Sequence, residues 1–324
     1  MGKKFLKLLR VEQWVKNFFV FTPLFFSGNV THVDLMLKSI FAFLVFSLTA
    51  SSIYVLNDYS DIESDKKHPE KCNRPLASGA ISKTTAKIIF VLLILSVVLL
   101  VFFGGDYFQR NFTKFSIIIA SYFFMNIAYT FKLKHVAIID VCIIALGFVL
   151  RVLAGGYATG IVVSQWAILL TFVLALVLAV GKRRGELINA EISGKTRKAL
   201  DGYNVQFADI ALSISVTLAI VCYLMFTLTP EVQEKFGVRV FYTVLFVVFA
   251  FLRYLQQTLV YNKTESPTKI VYKDRYIQIT ILIWLIAFLL LIYLKNETKF
   301  RKKCFYLGQS SHSKQTVQSR RRLQ

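Results

Sequence analysis

The chain has 324 residues, of which 56% are hydrophobic, and a formal net charge of +21. Its mean hydropathy is +0.57, which excludes an ordinary soluble domain and points to a membrane protein. The charge by itself would suit nucleic acid, but its distribution excludes that partner, because Lys and Arg gather in alternate connections between apolar runs.

Apolar runs of about 18 residues or more predict an all-α polytopic membrane protein with about nine transmembrane helices. They lie near 15–29, 35–56, 86–105, 112–131, 136–158, 164–181, 208–229, 237–256 and 276–295. With the N-terminus in the cytoplasm, the inner segments carry 24 Lys and Arg and the outer connections 5, the exception being the tail after Tyr293, which is strongly basic yet predicted outside. That asymmetry predicts a cytoplasmic membrane protein whose functional rim faces the cytoplasm.

Lys3 to Lys16 read as an interfacial helix leading into a first span that Pro23 interrupts. No small-residue cleavage site follows, so this span is expected to stay uncleaved. The second span runs into Asn57-Asp58-Tyr59-Ser60-Asp61-Ile62-Glu63-Ser64-Asp65. Asp58, Asp61 and Asp65 stand at i, i+3 and i+7, offsets that share one face of a helix. Three carboxylates on one face need a cation, and hard oxygen ligands suit Mg²⁺ held together with substrate phosphates. The three are the expected catalytic and metal residues, with Asn57 assisting. In Asn73-Arg74-Pro75-Leu76-Ala77-Ser78-Gly79, a turn that re-enters the membrane, Arg74 supplies a planar fork of donors for phosphate.

Asp140 and Arg151 are ionisable groups inside an apolar span, which usually marks a cavity or a partner. They are eleven residues apart, about three helical turns, so both can face one interior cavity at different depths. The second large inner connection opens with Gly181-Lys182-Arg183-Arg184-Gly185-Glu186-Leu187, whose consecutive cations suit direct phosphate binding. Cys72, Cys142, Cys222 and Cys304 form no CxxC pair and read as isolated thiols. Residues 1–298 form one catalytic domain by this reading. Residues 299–324 read as a disordered basic tail.

Asn57–Asp65 followed by Asn73–Gly79 resembles the first signature of the UbiA superfamily of intramembrane prenyltransferases, and nine spans fit that superfamily. The second connection departs from its usual pattern, having no second DxxxD. Gln13-Trp14-Val15-Lys16-Asn17, Tyr129-Thr130-Phe131-Lys132-Leu133-Lys134-His135, Asp140-Val141, Gly147–Arg151, Ala154-Gly155-Gly156, Gly181–Leu187 and Thr196-Arg197-Lys198 ahead of Tyr203 look like the decaprenyl-phosphate phosphoribosyltransferase branch. That resemblance implies Mg²⁺-dependent transfer of 5-phosphoribose from phosphoribosyl diphosphate (PRPP) to a polyprenyl phosphate, with inversion at C1. PRPP has two phosphate centres and so needs a second cationic site. Lys132, Lys134, Arg151, Lys182 and Arg183 are expected to supply it, with Lys16, Asn17, Tyr129, Asp140 and Glu186 completing the substrate-binding set. The alternative is a prenyltransferase joining a prenyl diphosphate to an aromatic or lipid acceptor.

Overall fold

A computed structural model describes residues 2–67, 71–105, 112–193, 198–262, 270 and 273–291. The tail at 299–324, the domain boundary at 298 and the Thr196-Arg197 pair lie outside the described residues. Every regular element described is helical. The long helices are α3 (Val33–Ser60), α5 (Lys83–Phe103), α6 (Phe112–Phe131), α7 (Ile139–Thr159), α8 (Gln165–Ser193), α9 (Val205–Leu228) and α11 (Val244–Leu255). Shorter ones are α1 (Gly2–Leu8), α2 (Thr22–Phe26), α4 (Ile62–Lys66) and α10 (Pro230–Phe236).

Seven of the described helices are long and apolar enough to cross a membrane, counting Val238–Val260 as one span around α11. A shorter apolar helix, α12 (Arg275–Leu291), occupies the last predicted span. The first predicted span differs. Val11–Phe21 is a 3-10 helix and only Thr22–Phe26 is α-helical, with Pro23 in its first turn. Pro lacks the N–H that a longer helix needs there.

In hydrocarbon a helix is stable with its apolar face outward, because all its backbone groups are bonded internally. Accordingly α5 exposes Leu92, Leu95, Val98 and Leu99. In contrast, α3 is mostly buried and carries Ser39, Ser47, Thr49, Ser51 and Ser52 inside. Such small residues allow close helix approach where hydrophobicity gives no preference for protein over lipid. α3 packs against α5, α6 and α7 around Val45, Phe46, Phe115 and Tyr122. α7, α8, α9 and α11 build a second core around Val141, Val177, Leu212 and Tyr254.

The 3-10 helix lies against α7. A Cβ on Gly155 would stand 1.8 Å from the Val20 carbonyl oxygen, so only glycine permits this approach. Arg10, left-handed at φ 49° and ψ 49°, turns α1 into that 3-10 helix.

Candidate active site

Ion pairs and hydrogen bonds tie the end of α3, the start of α7 and the last turns of α8 into one charged rim. Asp58, Asp61 and Asp65 sit there, but not on one continuous helix. α3 stops at Ser60, and Asp61 (φ −97°, ψ 7°) forms a joint before α4. Each carboxylate has its own cation. Arg74 Nη1 donates to Asp65 Oδ2 at 2.6 Å and to Asp58 Oδ1 at 3.2 Å. Arg10 also donates to Asp58 Oδ1. Lys134 Nζ donates to Asp61 Oδ1 at 2.6 Å.

Among the described residues no group of three or more His, Cys, Asp or Glu is already gathered as a metal cage. The donor chemistry nonetheless fits a hard cation. Asp58 is 1% exposed, and its Oδ2 is buried with no hydrogen-bond partner. A buried carboxylate oxygen without a donor is costly unless a cation takes it up. Asn57 is half-buried one residue away, its carbonyl accepting from the Asp61 N–H.

A second network centres on Asp140, which is fully buried in the first turn of α7. Arg183 Nε lies 2.7 Å from Asp140 Oδ2, and Arg183 also donates to Glu186. Tyr203 Oη donates to Asp140 Oδ1 at 2.9 Å and accepts from the Ile138 N–H at 2.6 Å. Ile138 has φ 69°, a left-handed conformation that a β-branched residue rarely adopts. Tyr203 thus holds both the strained turn and the carboxylate that follows it. Tyr129 is half-buried on α6, within electrostatic range of Arg183.

Asp140 and Arg151, read as able to face one cavity at different depths, have different partners. Arg151 donates to Asn17 Oδ1 at 2.8 Å, Gly147 O at 2.7 Å and Tyr122 Oη at 3.0 Å. Its guanidinium lies about 5 Å from the ring centres of Phe46, Tyr122 and Phe148. Asn17, 1% exposed, also donates to Ser47 at 2.9 Å. Asn17, Arg151 and Arg183 are therefore committed to internal partners, while Lys16, Lys132 and Lys182 are not buried.

Lys16 precedes Asn17 on the 3-10 helix, outside the seven long helices. It is half-buried and makes no hydrogen bond or ion pair with a described residue. Burial first, then the charges of Lys182, Arg151 and Arg10, push its ammonium pKa down to about 8. A buried cation crowded by cations is an anion site in electrostatic terms. Lys182 is half exposed and lies 3.9 Å from Glu186. Lys132 is exposed on the turn before Lys134.

Arg10 and Tyr203 were not singled out as site residues in the sequence. Arg10 was one of several inner cations, and Tyr203 only a marker within a motif. Arg184, next to Arg183 in sequence, belongs to neither network: it donates to Thr258 O at 2.7 Å and to Asp209, and so ties α8 to α9 and to the π-helical turn Gln256–Val260.

The described chain is thus a bundle of helices long and apolar enough to cross a membrane, with paired acids and bases gathered at one rim. Residues 18–286 match the UbiA prenyltransferase family, and the chain belongs to that family. It is similar to decaprenyl-phosphate phosphoribosyltransferase of Mycolicibacterium smegmatis, 34% identical over 86% of this chain and 89% of that one. The Mycobacterium tuberculosis protein of the same name is 32% identical over 86% and 91%. A UbiA homolog from Archaeoglobus fulgidus bound to GPP and Mg²⁺ shares the fold, with a TM-score of 0.62 at 16% identity over 90% of this chain and 99% of that one.

Proposed function

We propose that the chain transfers 5-phosphoribose from PRPP to a polyprenyl phosphate of decaprenyl type, releasing diphosphate, at the cytoplasmic face of the membrane. The observation that supports this reading is a cationic position in addition to the carboxylate cluster and its arginines. The carboxylate cluster, with a bound cation and Arg74, would take one phosphate group. The further cationic position is Lys16, a half-buried ammonium surrounded by the charges of Lys182, Arg151 and Arg10. A prenyl diphosphate has one charged head and needs only the first. PRPP, with phosphates at both ends of the sugar, needs both, and the names of the relatives at 32–34% identity agree.

Asp58, Asp61 and Asp65, with Asn57 beside them, would hold Mg²⁺. When bound, Mg²⁺ neutralises charge that builds on the departing diphosphate. Arg74 and Lys134 hold donors where that charge appears. Lys16 and Lys182 orient the other phosphate of PRPP, and Asp140 with Tyr203 fixes Arg183 and the turn beside it. The acceptor phosphate is already anionic near neutral pH, so its oxygen attacks C1 without a general base. The new C1–O bond forms as the C1–O bond to diphosphate breaks, with the electron pair leaving on diphosphate and inversion at C1. Positioning and charge neutralisation supply the rate.

The test is label transfer from PRPP to polyprenyl phosphate by purified protein. Label entering the organic phase, lost with EDTA and by about 10²-fold or more in Asp58→Asn, is the expected result. Turnover of a prenyl diphosphate with an aromatic acceptor instead, and none of PRPP, would establish the other UbiA chemistry.

A further inference from the structure

We propose that Arg10 is a diphosphate-binding residue that also guards the carboxylate cluster, so that a divalent cation and a diphosphate bind there only together. The proposal rests on the carboxylates being the cation site named above, and it adds a residue and a coupling to that reading.

Three observations converge on Arg10. Its guanidinium donates to Asp58 Oδ1, the oxygen that Arg74 also reaches, while Asp58 Oδ2 has no hydrogen-bond partner. It is placed there by the backbone. Arg10 adopts a left-handed conformation, which costs a non-glycine residue energy unless its surroundings enforce it. Those surroundings are visible: Ser51 Oγ donates to Leu9 O at 2.8 Å, Trp14 Nε1 donates to Ser51 Oγ at 3.0 Å, and Lys7 Nζ donates to Asn73 O at 3.1 Å. The chain is tied to α3 on both sides of Arg10, and to the Arg74 turn as well. Lastly, the guanidinium rests 5.0 Å from the centre of the Tyr54 ring. It makes one hydrogen bond to a described residue, although an arginine has five N–H donors.

The charges then decide the behaviour. Arg10, Arg74 and Lys134 stand against Asp58, Asp61 and Asp65, three cations on three carboxylates. A divalent cation arriving alone must displace the half-buried guanidinium groups from the carboxylates and leave them beside it, so like charges oppose it. A diphosphate arriving alone meets the carboxylates. Arriving together, the cation takes the carboxylates and the diphosphate takes the released guanidinium groups, for which two planar donor forks are well shaped. Each ligand raises the affinity of the other by the same factor.

The experiment is Mn²⁺ binding to the full-length protein in detergent, followed by electron paramagnetic resonance, with and without inorganic diphosphate. In Arg10→Gln, Mn²⁺ alone is expected to bind several-fold more tightly, because a competing cation is gone. Diphosphate in the presence of Mn²⁺ is expected to bind about tenfold more weakly, the loss of a charge-assisted hydrogen bond. Arg10→Lys should recover part of both changes. Opposite signs are the signature, since a merely structural role would weaken both ligands. If both affinities fall together, or neither moves, Arg10 has no such role while the cation site stands. If wild-type protein binds no Mn²⁺, or Asp58→Asn binds it unchanged, the cation site fails and the role of Arg10 with it.

Discussion

Asp140→Asn is the sharpest single-residue change this rim offers. Arg183 is 1% exposed, and without Asp140 it keeps only Glu186, on the more open side of the network. Removing one partner of a buried ion pair costs about 3 kcal/mol or more, mainly because a desolvated charge is left behind. Thermal unfolding in detergent should show that loss, and Asp140→Asn with Arg183→Met should recover part of it. Lys16 makes a second prediction at this scale. The free protein holds its ammonium pKa at about 8, below the ordinary 10.5, so the charge is present below pH 8 and lost above it. Affinity for PRPP should therefore fall as pH rises through about 8. Lys16→Arg, which stays charged, should carry that affinity to higher pH. Such roles were half legible in the sequence. Asp58, Asp61, Asp65 and Arg74 announce themselves by spacing at a span end. Arg10 and Tyr203 do not, because their roles arise from a left-handed turn and a hydrogen bond across 63 residues.

At the scale of elements, the sequence shows the long helices clearly, since a run of apolar residues is its own signal. It misplaces the first one. The run near 15–29 suggests a span, yet Val11–Phe21 forms a 3-10 helix pressed onto α7 and only Thr22–Phe26 is α-helical. Pro23 signals the interruption in the sequence, but the close seat on α7 depends on Gly155, more than a hundred residues away. Gly155→Ala tests the point. A methyl group 1.8 Å from the Val20 carbonyl oxygen meets backbone and not a movable side chain. The cost should be about 3 kcal/mol, at the upper end for overpacking. A lowered unfolding temperature, with Lys16 and Asn17 displaced and PRPP affinity lost, is the expected outcome. The helix break at Asp61 escapes sequence reading for a related reason. Three acids at helical spacing say nothing about whether the helix continues between them.

For the whole molecule, connectivity places the ends of α3, α6 and α8 and the starts of α7 and α9 at one side of the bundle. The ion pairs between them confirm this, Lys134 with Asp61 and Arg183 with Asp140 among them. The bias of Lys and Arg predicts that this side faces the cytoplasm, an orientation that belongs to the proposal. Cys72, on the turn that carries Arg74, reports on it directly. In a Cys304→Ser background, a membrane-impermeant maleimide should label Cys72 in inverted vesicles but not in intact cells.

Arg151 has a reach beyond its own contacts. Its ring cage and its three hydrogen-bond acceptors are all neutral, so its positive charge is solvated by dipoles and quadrupoles and never cancelled. Low-dielectric surroundings screen such a charge poorly. It behaves as a fixed electrode embedded in the bundle, and Lys16 already registers its field. An anionic lipid headgroup approaching this rim would thus be drawn inward by a potential set at a residue it need never touch.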